Sequence, residues 1–437
     1  MGNRRVRVMW SDLNGLAHGR YIPEGRLGEH GHHAVTTLVM AINGDILPVV
    51  GYAADVGFRD LTTVPLVETR RPGWEPDTDV VVADLMVDGA PLEIAPRSAL
   101  QRAVDAWRSL GYEPQLGFEL EFFLFQPNAD SPGGFGPLVN PSHRVYGVGL
   151  GADPTGVLLE LYDAVEHSEL DLEGVMGEFH PGQMEINLRY GPAMDAADRA
   201  FVCKELSREV AAHNGHRVTY MGRPSGELVG SGLHVNFSLL PVAGGANAFD
   251  DASDEVGLSA LARQCLGGLI AHHEGLAAFS APLVNSYKRL VPGIIAGYWA
   301  NWGLDNRIST FRIPGERGMA TRIENRMPCA SASPYLAAAA MLNAALLGVV
   351  DGLDCGLPQL GDGDAEPNTS RHTPEHLGDE LDALEADAVL CEAMGHDLVR
   401  AFLALRHEDL GRWLALDTAW DPATITAWEL EHYLPFY

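Results

Sequence analysis

The chain has 437 residues, 46% of them hydrophobic, which is enough to bury one large core or a small and a large one. Its 30 Lys and Arg residues stand against 59 Asp and Glu residues, so the formal net charge is −29. This balance argues against a partner such as nucleic acid and favours the approach of cationic ligands, although solubility alone also accounts for it.

Five cysteines are scattered without a CxxC pair, which indicates a reduced, cytoplasmic protein without a disulfide framework. The first residues contain no apolar core of the kind that a secretory signal carries. The longest apolar segment begins at Tyr335 and is interrupted by Asn343, so it is too short to span a bilayer. We therefore expect a buried helix there and no association with a membrane.

The first 92 residues contain short predicted strands separated by Gly and Pro turns, and we expect a small sheet domain over residues 1–92. The next segment predicts a helix, with Pro96 in its first turn and Gly111 as its C-terminal stop. Strands and helices then alternate without a regular βαβ period. This irregular order predicts an α+β domain over residues 93–437 rather than a doubly wound sheet.

Three segments rich in Gly, Pro, Asn and Asp are predicted to be loops, and they begin at Pro127, Pro241 and Gly361. The sequence contains no G-x-x-x-x-G-K-[ST] phosphate loop, so any nucleotide must be bound by another device. The segment EHGHH could bind a metal through His30, His32 and His33. Histidines flanked by glycine are more typical of a solvated segment.

Four predicted strands carry polar residues on one face. In GFELEFFLF, residues 117–125, Glu119 and Glu121 lie on the same side because side chains alternate along a strand. The other strands are QMEINLRY, LHVNFSL and TRIENRM, with polar positions at Gln183, Glu185, Asn187, Arg189, His234, Asn236, Ser238, Arg322, Glu324 and Arg326. A solvated sheet face explains any one of these patterns. The combination of Glu, His and Arg with almost no Lys indicates instead that the strands converge on a site.

Carboxylates gathered in one cleft repel each other by about 4 kcal/mol per close pair at an effective dielectric constant of 20. A divalent metal removes this repulsion, and oxygen ligands with one imidazole suit Mg²⁺ or Mn²⁺. The arginines supply donors for phosphate and carboxylate groups. Metal, arginine and phosphate together predict phosphoryl transfer.

A series of motifs resembles those of the glutamine synthetase family, in the family's order: GFELEFFLF, GEFHPGQMEI, GSGLHVNFSL, NSYKRL followed by PG, DNRISTFRIP and TRIENRMP. SDLNG near Asp12, APRSAL at Ala95 and SPYLAAAAML at Ser333 extend the resemblance over most of the chain. It implies a small N-terminal β-grasp domain and a catalytic domain built around an antiparallel half-barrel. It also implies ATP, two or three Mg²⁺ or Mn²⁺ ions, and a homo-dodecamer of two hexameric rings with sites shared between subunits.

The resemblance further implies roles for individual residues. One metal would be held by Glu121, Glu178 and Glu185, and a second by Glu119, His234 and Glu324. The substrate glutamate would be bound at Gly230, Arg289 and Arg326. ATP would be contacted by Asn236, Ser238, Arg307 and Arg312, and the two arginines would also be catalytic. Asn236 departs from the family, in which histidine is common at this position, so the resemblance does not extend to stacking of the nucleotide on this side chain.

The reaction implied by the resemblance has two steps. ATP phosphorylates the side-chain carboxylate of glutamate, and an amine then attacks the acyl phosphate and releases phosphate. Family members that use ammonium carry a glutamate in the loop after NSYKRL, and Ile295 stands at that position here. The rest of the loop is apolar, with Ile294, Tyr298, Trp299 and Trp302, which suits an amine with a carbon body. The same residues could equally pack the loop itself.

We therefore expect a ligase that forms a γ-glutamyl amide from glutamate and an organic amine, with Ile295 and Trp299 as the lid of the amine site. The negative charge favours a polyamine, whereas an apolar lid favours an arylamine or a small alkylamine. Asp55 and Asp60 are candidates for an acid that reaches the amine site of a neighbouring subunit. The alternatives are ordinary glutamine synthetase with a substitute acid, and an inactive structural or regulatory relative, although such relatives usually lose metal ligands.

Overall fold

A computed structural model describes residues 4–437, so the first three residues of the predicted N-terminal domain lie outside the described part. The strands are β1 Arg5–Ser11, β2 Ala17–Pro23, β3 Gly31–Ala34, β4 Asp60–Pro65, β5 Arg71–Pro72, β6 Thr78–Val87, β7 Ala90–Pro91, β8 Tyr112–Pro127, β9 Phe135–Pro137, β10 Leu172–Gly177, β11 Gln183–Leu188, β12 Gly191–Pro192, β13 Arg217–Thr219, β14 Leu233–Pro241, β15 Trp302–Leu304, β16 Phe311–Ile313 and β17 Ile323–Asn325. The helices are α1 Pro96–Ser109, α2 Val157–His167, α3 Ala193–His213, α4 Ala260–Ala271, α5 His273–Ser280, α6 Pro334–Asp351, α7 Leu377–Ala386, α8 Ala388–Met394, α9 His396–Leu414 and α10 Ala427–Tyr433.

The first sheet has seven strands, β1 to β7, in the order β2-β1-β6-β4-β3, with β5 and β7 also paired to β6. β1 and β6 run parallel, and the other pairs are antiparallel. This sheet packs onto the helices of the larger part of the chain. Trp74, just before β6, donates a hydrogen bond from Nε1 to Glu209 of α3, and Tyr52 donates one to Asp397 of α9.

The second sheet has ten strands in the order β10-β11-β8-β14-β17-β16-β15, and β9, β12 and β13 also pair with β8. It forms a half-barrel flanked by helices, which confirms the predicted α+β class. Its pairs are antiparallel except β15 and β16, which run parallel, so the sheet is mixed rather than purely antiparallel.

β8 lies at the centre of this sheet and has two different faces. Phe118, Leu120 and Phe122 are fully or almost fully buried and belong to the main hydrophobic core. α1 and α3 pack on β8, so this apolar face is covered by helices. Because side chains alternate along a strand, the residues between them point to the opposite face, where the candidate site lies.

The helix that contains Tyr335 is buried, as the sequence predicted. α6 begins with Ser333 as N-cap and Pro334 in its first turn, and it ends at Gly352 in a left-handed conformation with φ 63°. Within residues 4–437, α6 is the one helix that is long and apolar enough to cross a membrane. However, 72% of this apolar stretch is buried inside the fold. A core helix has these properties. Gly348 faces Gly268 of α4, where a Cβ would lie 2.4 Å from the Gly268 nitrogen, so the two helices pack very closely.

His273, the first residue of α5, is a fully buried imidazole. Its Nε2 lies 3.3 Å from the carbonyl oxygen of Tyr298 and 3.1 Å from Oγ1 of Thr373. Burial lowers the pKa of His273 from 6.5 to about 4, because the imidazolium would lose its hydration. The side chain therefore stays neutral in the folded protein until well below the pH at which it would titrate in the unfolded chain.

This difference predicts a loss of stability in mild acid. Between pH 6.5 and 4 the unfolded chain binds a proton at His273 that the folded chain does not, so the free energy of unfolding decreases as the pH falls through this window. From pH 7 to pH 5 this group should cost about 2 kcal/mol. Urea unfolding at both pH values should show a pH-dependent loss that is smaller in His273→Gln than in the wild type by about this amount. His407→Gln, which replaces an exposed histidine, is the control and should behave as the wild type. Equal losses in all three proteins would contradict the prediction.

Candidate active site

The register of three strands brings acidic residues together on the polar face of the second sheet. Glu121 of β8 lies opposite Glu185 of β11, and Glu119 of β8 lies opposite His234 of β14. Residues paired across neighbouring strands share a face, so these four side chains point to the same side. The two acidic positions that the sequence placed on one strand face are thus joined by partners from both neighbouring strands.

These residues form an acid and imidazole cluster, here called the carboxylate cluster: Glu119, Glu121, Glu178, Glu185 and His234. Ligand atoms of Glu119, Glu185 and His234 lie within 4.8 Å of one another. Nδ1 of His234 is 3.1 Å from Oε2 of Glu119, and its Nε2 is 3.6 Å from Oε1 of Glu121. Glu178 follows β10, and burial together with the negative charge of Glu121 raises its pKa.

Burial and repulsion between neighbouring carboxylates raise the pKa values of two glutamates in the carboxylate cluster. Burial and the charges of Glu121 and Glu119 raise the pKa of Glu185 to about 9. Burial and the charge of Glu121 raise the pKa of Glu178 to about 7. Burial alone would also raise the pKa of Glu119, but the hydrogen bond and charge of His234 and the amide of Asn236 outweigh it and lower the value to about 2.

A divalent cation fits this donor set. Carboxylate oxygens with one imidazole are ligands that Mg²⁺ and Mn²⁺ accept, and a doubly charged ion would offset the repulsion that otherwise favours protonation. Within residues 4–437 the trio Glu119, Glu185 and His234 is the one group of His, Cys, Asp and Glu side chains whose ligand atoms are close enough together to hold a metal ion. The histidines of EHGHH are not part of it, and His33 packs its ring against Trp10 at 4.5 Å between centroids.

Glu324 has a different environment from the one implied for a second metal site with Glu119 and His234. Its carboxylate forms ion pairs with Arg312, at 2.6 Å between Nη1 and Oε2, and with Arg326. Arg312 of β16 lies opposite Glu324 in the register and also contacts Asp305 at 2.6 Å. The structure therefore brings Glu324 together with two of the predicted phosphate and substrate arginines, and not into the trio of metal-spaced ligands.

Arg289 is almost fully buried beside the turn that contains Gly230. Its guanidinium donates to the carbonyl oxygens of Met327 at 2.8 Å and Arg326 at 3.1 Å. A Cβ on Gly230 would lie 2.4 Å from Cγ of Arg289, and one on Gly232 would lie 2.7 Å from its Nη2. The glycines of the GSG turn are thus required for the backbone to approach Arg289 and His234 closely.

A buried ion pair that the sequence analysis missed holds the segment before Arg289. Lys288 donates a hydrogen bond from Nζ to Oε2 of Glu429 at 2.6 Å, and Asn285 donates one to Oε1 at 2.9 Å. Glu429 is fully buried and also receives the backbone N–H of Thr426, with which it forms a capping box at the start of α10. The T-x-x-E pattern of this capping box is readable in the sequence, but its partner on the distant NSYKRL segment is not.

A cavity of about 350 Å³ opens beside the carboxylate cluster, and Glu119, Asn236 and Ser238 are in its lining. Asn236 donates a hydrogen bond to Oε1 of Glu119 at 2.9 Å and accepts one from Nε of Arg322 at 3.0 Å. Asn236 therefore links the cavity to the cluster. The predicted nucleotide contact of Asn236 stays a prediction.

Two residues near Glu178 lie on loops. Arg307, predicted to contact phosphate, is exposed, and its carbonyl oxygen accepts a hydrogen bond from Nε of Arg326 at 3.1 Å. Tyr146, which the sequence analysis did not single out, has a φ of 55°, and the charge of Glu178 together with burial raises its pKa. A left-handed tyrosine is a strained feature typical of functional sites, but the sequence shows only a loop there.

Of the residues that the sequence grouped in the lid, Ile295 and Trp299 lie outside the strands, whereas Trp302 is part of a strand. Ile295 is half exposed with a φ of 58°, and Trp299 donates a hydrogen bond from Nε1 to Asp364 at 3.0 Å. Trp302, which the sequence grouped with the lid, is buried in β15 and donates to the carbonyl oxygen of Cys355. That grouping was wrong because a strand begins at Trp302.

Asp55 and Asp60, the predicted amine-side acids, are exposed in the first sheet region of this chain. Asp55 accepts a hydrogen bond from the backbone N–H of Gly51 at 2.7 Å, and Asp60 begins β4. The carboxylate cluster is built entirely from residues of the second sheet and its loops. A role for either aspartate in an amine site would require a second copy of the chain, and it stays a prediction.

Comparison with known proteins gives consistent matches over most of the chain. A family model described as "Glutamine synthetase, catalytic domain" matches residues 93–433. A glutamine synthetase of Methanosarcina mazei is 33% identical over 379 residues, covering 83% of this chain and 80% of that protein. The gamma-glutamylethanolamide synthetase GlnA4 of Streptomyces coelicolor is 32% identical over 405 residues, covering 90% and 85%. A solved structure described as a GmaS/ADP complex matches with a TM-score of 0.84 at 28% identity, covering 99% of this chain and 97% of that one.

The buried pair of Lys288 and Glu429 leads to a stability prediction. Glu429→Gln leaves a buried ammonium group without its counter-charge, so the free energy of unfolding should decrease by about 3–5 kcal/mol. The double variant Lys288→Met with Glu429→Gln removes both charges and should lose less than the sum of the two single variants. Urea unfolding measures all three. Asp88→Asn, which breaks an exposed pair with Arg59, is the control and should change stability by less than about 1 kcal/mol. Additive single-variant losses would show that the pair is not coupled.

Proposed function

Because the chain belongs to the glutamine synthetase family, we propose that it is an ATP-dependent ligase that joins glutamate to an organic amine as a γ-glutamyl amide. The family resemblance predicted from the motifs is confirmed by the comparisons, and members of this family are ligases that form carbon–nitrogen bonds. The observation that carries the proposal is the metal-spaced trio Glu119, Glu185 and His234, combined with Ile295 at the position where the family resemblance places the glutamate of ammonium-using members. The similarity to a gamma-glutamylethanolamide synthetase supports the same choice of substrate.

We assign the binding of ATP, of the transferring phosphoryl group and of glutamate to different residues of the site. Asn236, Ser238 and Arg322 line the cavity in which ATP would bind. Arg307 and Arg312 would neutralise the transferring phosphoryl group, since guanidinium groups bind phosphate oxygens strongly. The GSG turn, Arg289 and Arg326 would bind the substrate glutamate on the other side of the carboxylate cluster.

The proposed reaction uses divalent cations, either Mg²⁺ or Mn²⁺. We propose that Glu121, Glu178 and Glu185 would hold one ion and that Glu119, His234 and Glu324 would hold a second. The close spacing of the ligand atoms of Glu119, Glu185 and His234 supports this, while Glu324 is paired with Arg312 and Arg326. When bound, the ions supply positive charge that stabilises the phosphoryl groups during transfer. The predicted number of two or three ions stays part of the proposal.

The lid favours an amine that carries carbon. Ile294 and Ile295 offer an apolar surface, and Tyr298 and Trp299 pack edge to face with 4.9 Å between centroids. An arylamine is neutral at pH 7 and can attack the acyl phosphate directly, whereas an alkylammonium, with a pKa near 10.4, must first lose a proton. The absence of an acidic side chain at position 295 therefore fits a weakly basic or small amine.

Ordinary glutamine synthetase is the second candidate. It is supported by the names of several relatives with similar identity, including those of Methanosarcina mazei and Pyrococcus horikoshii. The apolar lid counts against it, since an ammonium ion needs a nearby anion to bind it. An inactive relative is the third candidate, and the intact carboxylate cluster counts against that one. The homo-dodecamer of two hexameric rings, the cytoplasmic location and the division at residues 92 and 93 stay proposals.

An amine panel tests the choice of substrate. With ATP, glutamate and Mg²⁺, phosphate release and product mass are measured for ammonium, ethylamine, ethanolamine, putrescine and aniline. At least one organic amine should exceed ammonium in kcat/KM by about 10-fold or more, which corresponds to about 1.4 kcal/mol of preferential transition-state binding. Ammonium as the best substrate would favour the second candidate, and no phosphate release with any amine would favour the third.

A substitution in the lid tests directly whether Ile295 contributes to the choice of amine. Ile295→Glu should lower kcat/KM for the preferred organic amine and raise it for ammonium, because the new carboxylate attracts a small cation and fills the apolar space. Val389→Glu is the control, since Val389 is half exposed in the first turn of α8, where an acidic residue is tolerated. The control should keep the amine preference of the wild type. An unchanged preference in Ile295→Glu would remove Ile295 from the amine site.

The carboxylate cluster gives a prediction about metal. Glu185→Gln should lower phosphate release by at least about 100-fold, because even partners of metal ligands cost 10-fold to 100-fold when lost. It should also weaken Mn²⁺ binding measured by calorimetry without nucleotide. Chelation of metal should abolish activity in the wild type, and added Mg²⁺ should restore it. Glu113→Gln, on the neighbouring strand β8 and paired with Arg108, is the control and should keep full activity. Unchanged Mn²⁺ affinity in Glu185→Gln would exclude Glu185 as a ligand.

A further inference from the structure

The loop that begins at Gly361 lies against the lid. We call residues 361–373 the strap and residues 291–300 the lid. One strap carboxylate, Asp364, accepts two hydrogen bonds from the lid: the backbone N–H of Gly293 reaches Oδ2 at 2.9 Å, and Nε1 of Trp299 reaches Oδ1 at 3.0 Å. The two donors lie on either side of Ile295. A single side chain thus holds both ends of the segment that carries the apolar lid residue.

The C-terminal end of the strap reinforces this contact. The rings of Tyr298 and His372 stack with 4.8 Å between centroids and an interplanar angle of 12°. The backbone N–H of Thr373 donates to the carbonyl oxygen of Tyr298 at 2.8 Å. The backbone N–H of Ala300 donates to the carbonyl oxygen of Arg371 at 3.0 Å. The lid is therefore paired with the strap at this end as a short two-stranded bridge.

The strap has its own internal support, so it can impose a shape on the lid. Asp362 accepts the backbone N–H groups of Asp364 at 3.0 Å and Ala365 at 3.2 Å, which fixes the turn that presents Asp364. Gln359 donates from Nε2 to the carbonyl oxygen of Glu366 at 3.0 Å. Arg371 forms an ion pair with Glu274 of α5. Asp364 is therefore presented by a preformed turn.

The lid has a conformation that its own sequence does not favour. Ile295 has a φ of 58°, a left-handed conformation that a β-branched residue rarely adopts. Such a conformation persists only where the surroundings hold it in place. The strap provides this restraint, because Asp364 binds the lid before and after Ile295.

We propose that Asp364 is a positioning residue that fixes the lid, so that Ile295 and Trp299 form one wall of the amine subsite and select small or flat organic amines. The choice of amine rests on the proposed function. The restraint of the lid by Asp364 rests on the hydrogen bonds alone. Without the restraint, the left-handed conformation at Ile295 relaxes and the subsite admits amines of other shapes.

Asp364→Asn tests this proposal with little change in volume. Gly293 and Trp299 donate to different oxygens of Asp364, and an amide replaces one of these oxygens with an NH₂ donor, so one of the two hydrogen bonds is lost. The KM for the preferred amine should rise about 10-fold or more, while the KM values for glutamate and ATP change less than about 2-fold. The ratio of kcat/KM between the best and the next-best amine should decrease. Glu366→Gln removes the same charge from an exposed strap residue and should keep all wild-type values.

Hydrogen exchange gives a readout that does not depend on the amine. Amides of residues 291–300 should exchange faster in Asp364→Asn than in the wild type and in Glu366→Gln. Trp299→Phe removes the indole hydrogen bond and part of the ring contact with Tyr298 and His372 but keeps the hydrogen bond of Gly293, and it should show a smaller effect of the same kind. It keeps the test valid if Asp364→Asn folds poorly. Unchanged exchange in both variants would overturn the restraint. Faster exchange with an unchanged order of amines would overturn the role in selection. If the wild type uses ammonium alone, the proposed function fails, while the exchange result still decides whether Asp364 restrains the lid.

Discussion

Repulsion between buried carboxylates is the constraint on which the site depends. Glu121 and Glu185 face each other across neighbouring strands, and burial removes most of the water that would screen their charges. The result is visible in the pKa of Glu185, which rises to about 9. A fold that holds such a group of acids ready for a cation gives up stability in its absence, and binding of the cation restores it.

The chain balances part of this charge with its own side chains. His234 offsets Glu119, while Arg312 and Arg326 offset Glu324. Glu121, Glu178 and Glu185 have no such partner of opposite charge in the ion pairs of residues 4–437, apart from the imidazole near Glu121. The uncompensated charge is therefore concentrated where β8 and β11 meet, and the cationic groups stand around it. This arrangement is suited to a divalent ion at the centre with anionic substrates bound by the arginines at its edge.

The two faces of β8 explain why the site is well positioned. Phe118, Leu120 and Phe122 anchor the strand in the core beneath α1 and α3, so the alternate residues Glu119 and Glu121 have little freedom. Arg289 is held in a comparable way, because Lys288 next to it is paired with the buried Glu429 of helix α10. The groups that carry charge are thus placed on rigid elements. The lid lies on a loop and is hydrogen-bonded to a second loop through Asp364, so its conformation can change without disturbing the carboxylate cluster.

The sequence by itself determined the strands, their polar faces and the family. The two-residue period of GFELEFFLF places Glu119 and Glu121 on one face whatever the rest of the fold, and Pro96 and Gly111 mark helix ends through local backbone preferences. Ordered motifs then identified the family, and with it the half-barrel. These features are local or are carried by contiguous residues, which is why they can be read without a structure.

Only the tertiary structure decided the partners of these residues. It paired Glu324 with arginines, joined Lys288 to Glu429 across 141 positions, moved Trp302 from the lid into a strand, and brought Asp364 to both ends of the lid. No local period or propensity specifies such contacts, because they depend on how distant segments pack and on which buried charges then find a counter-charge.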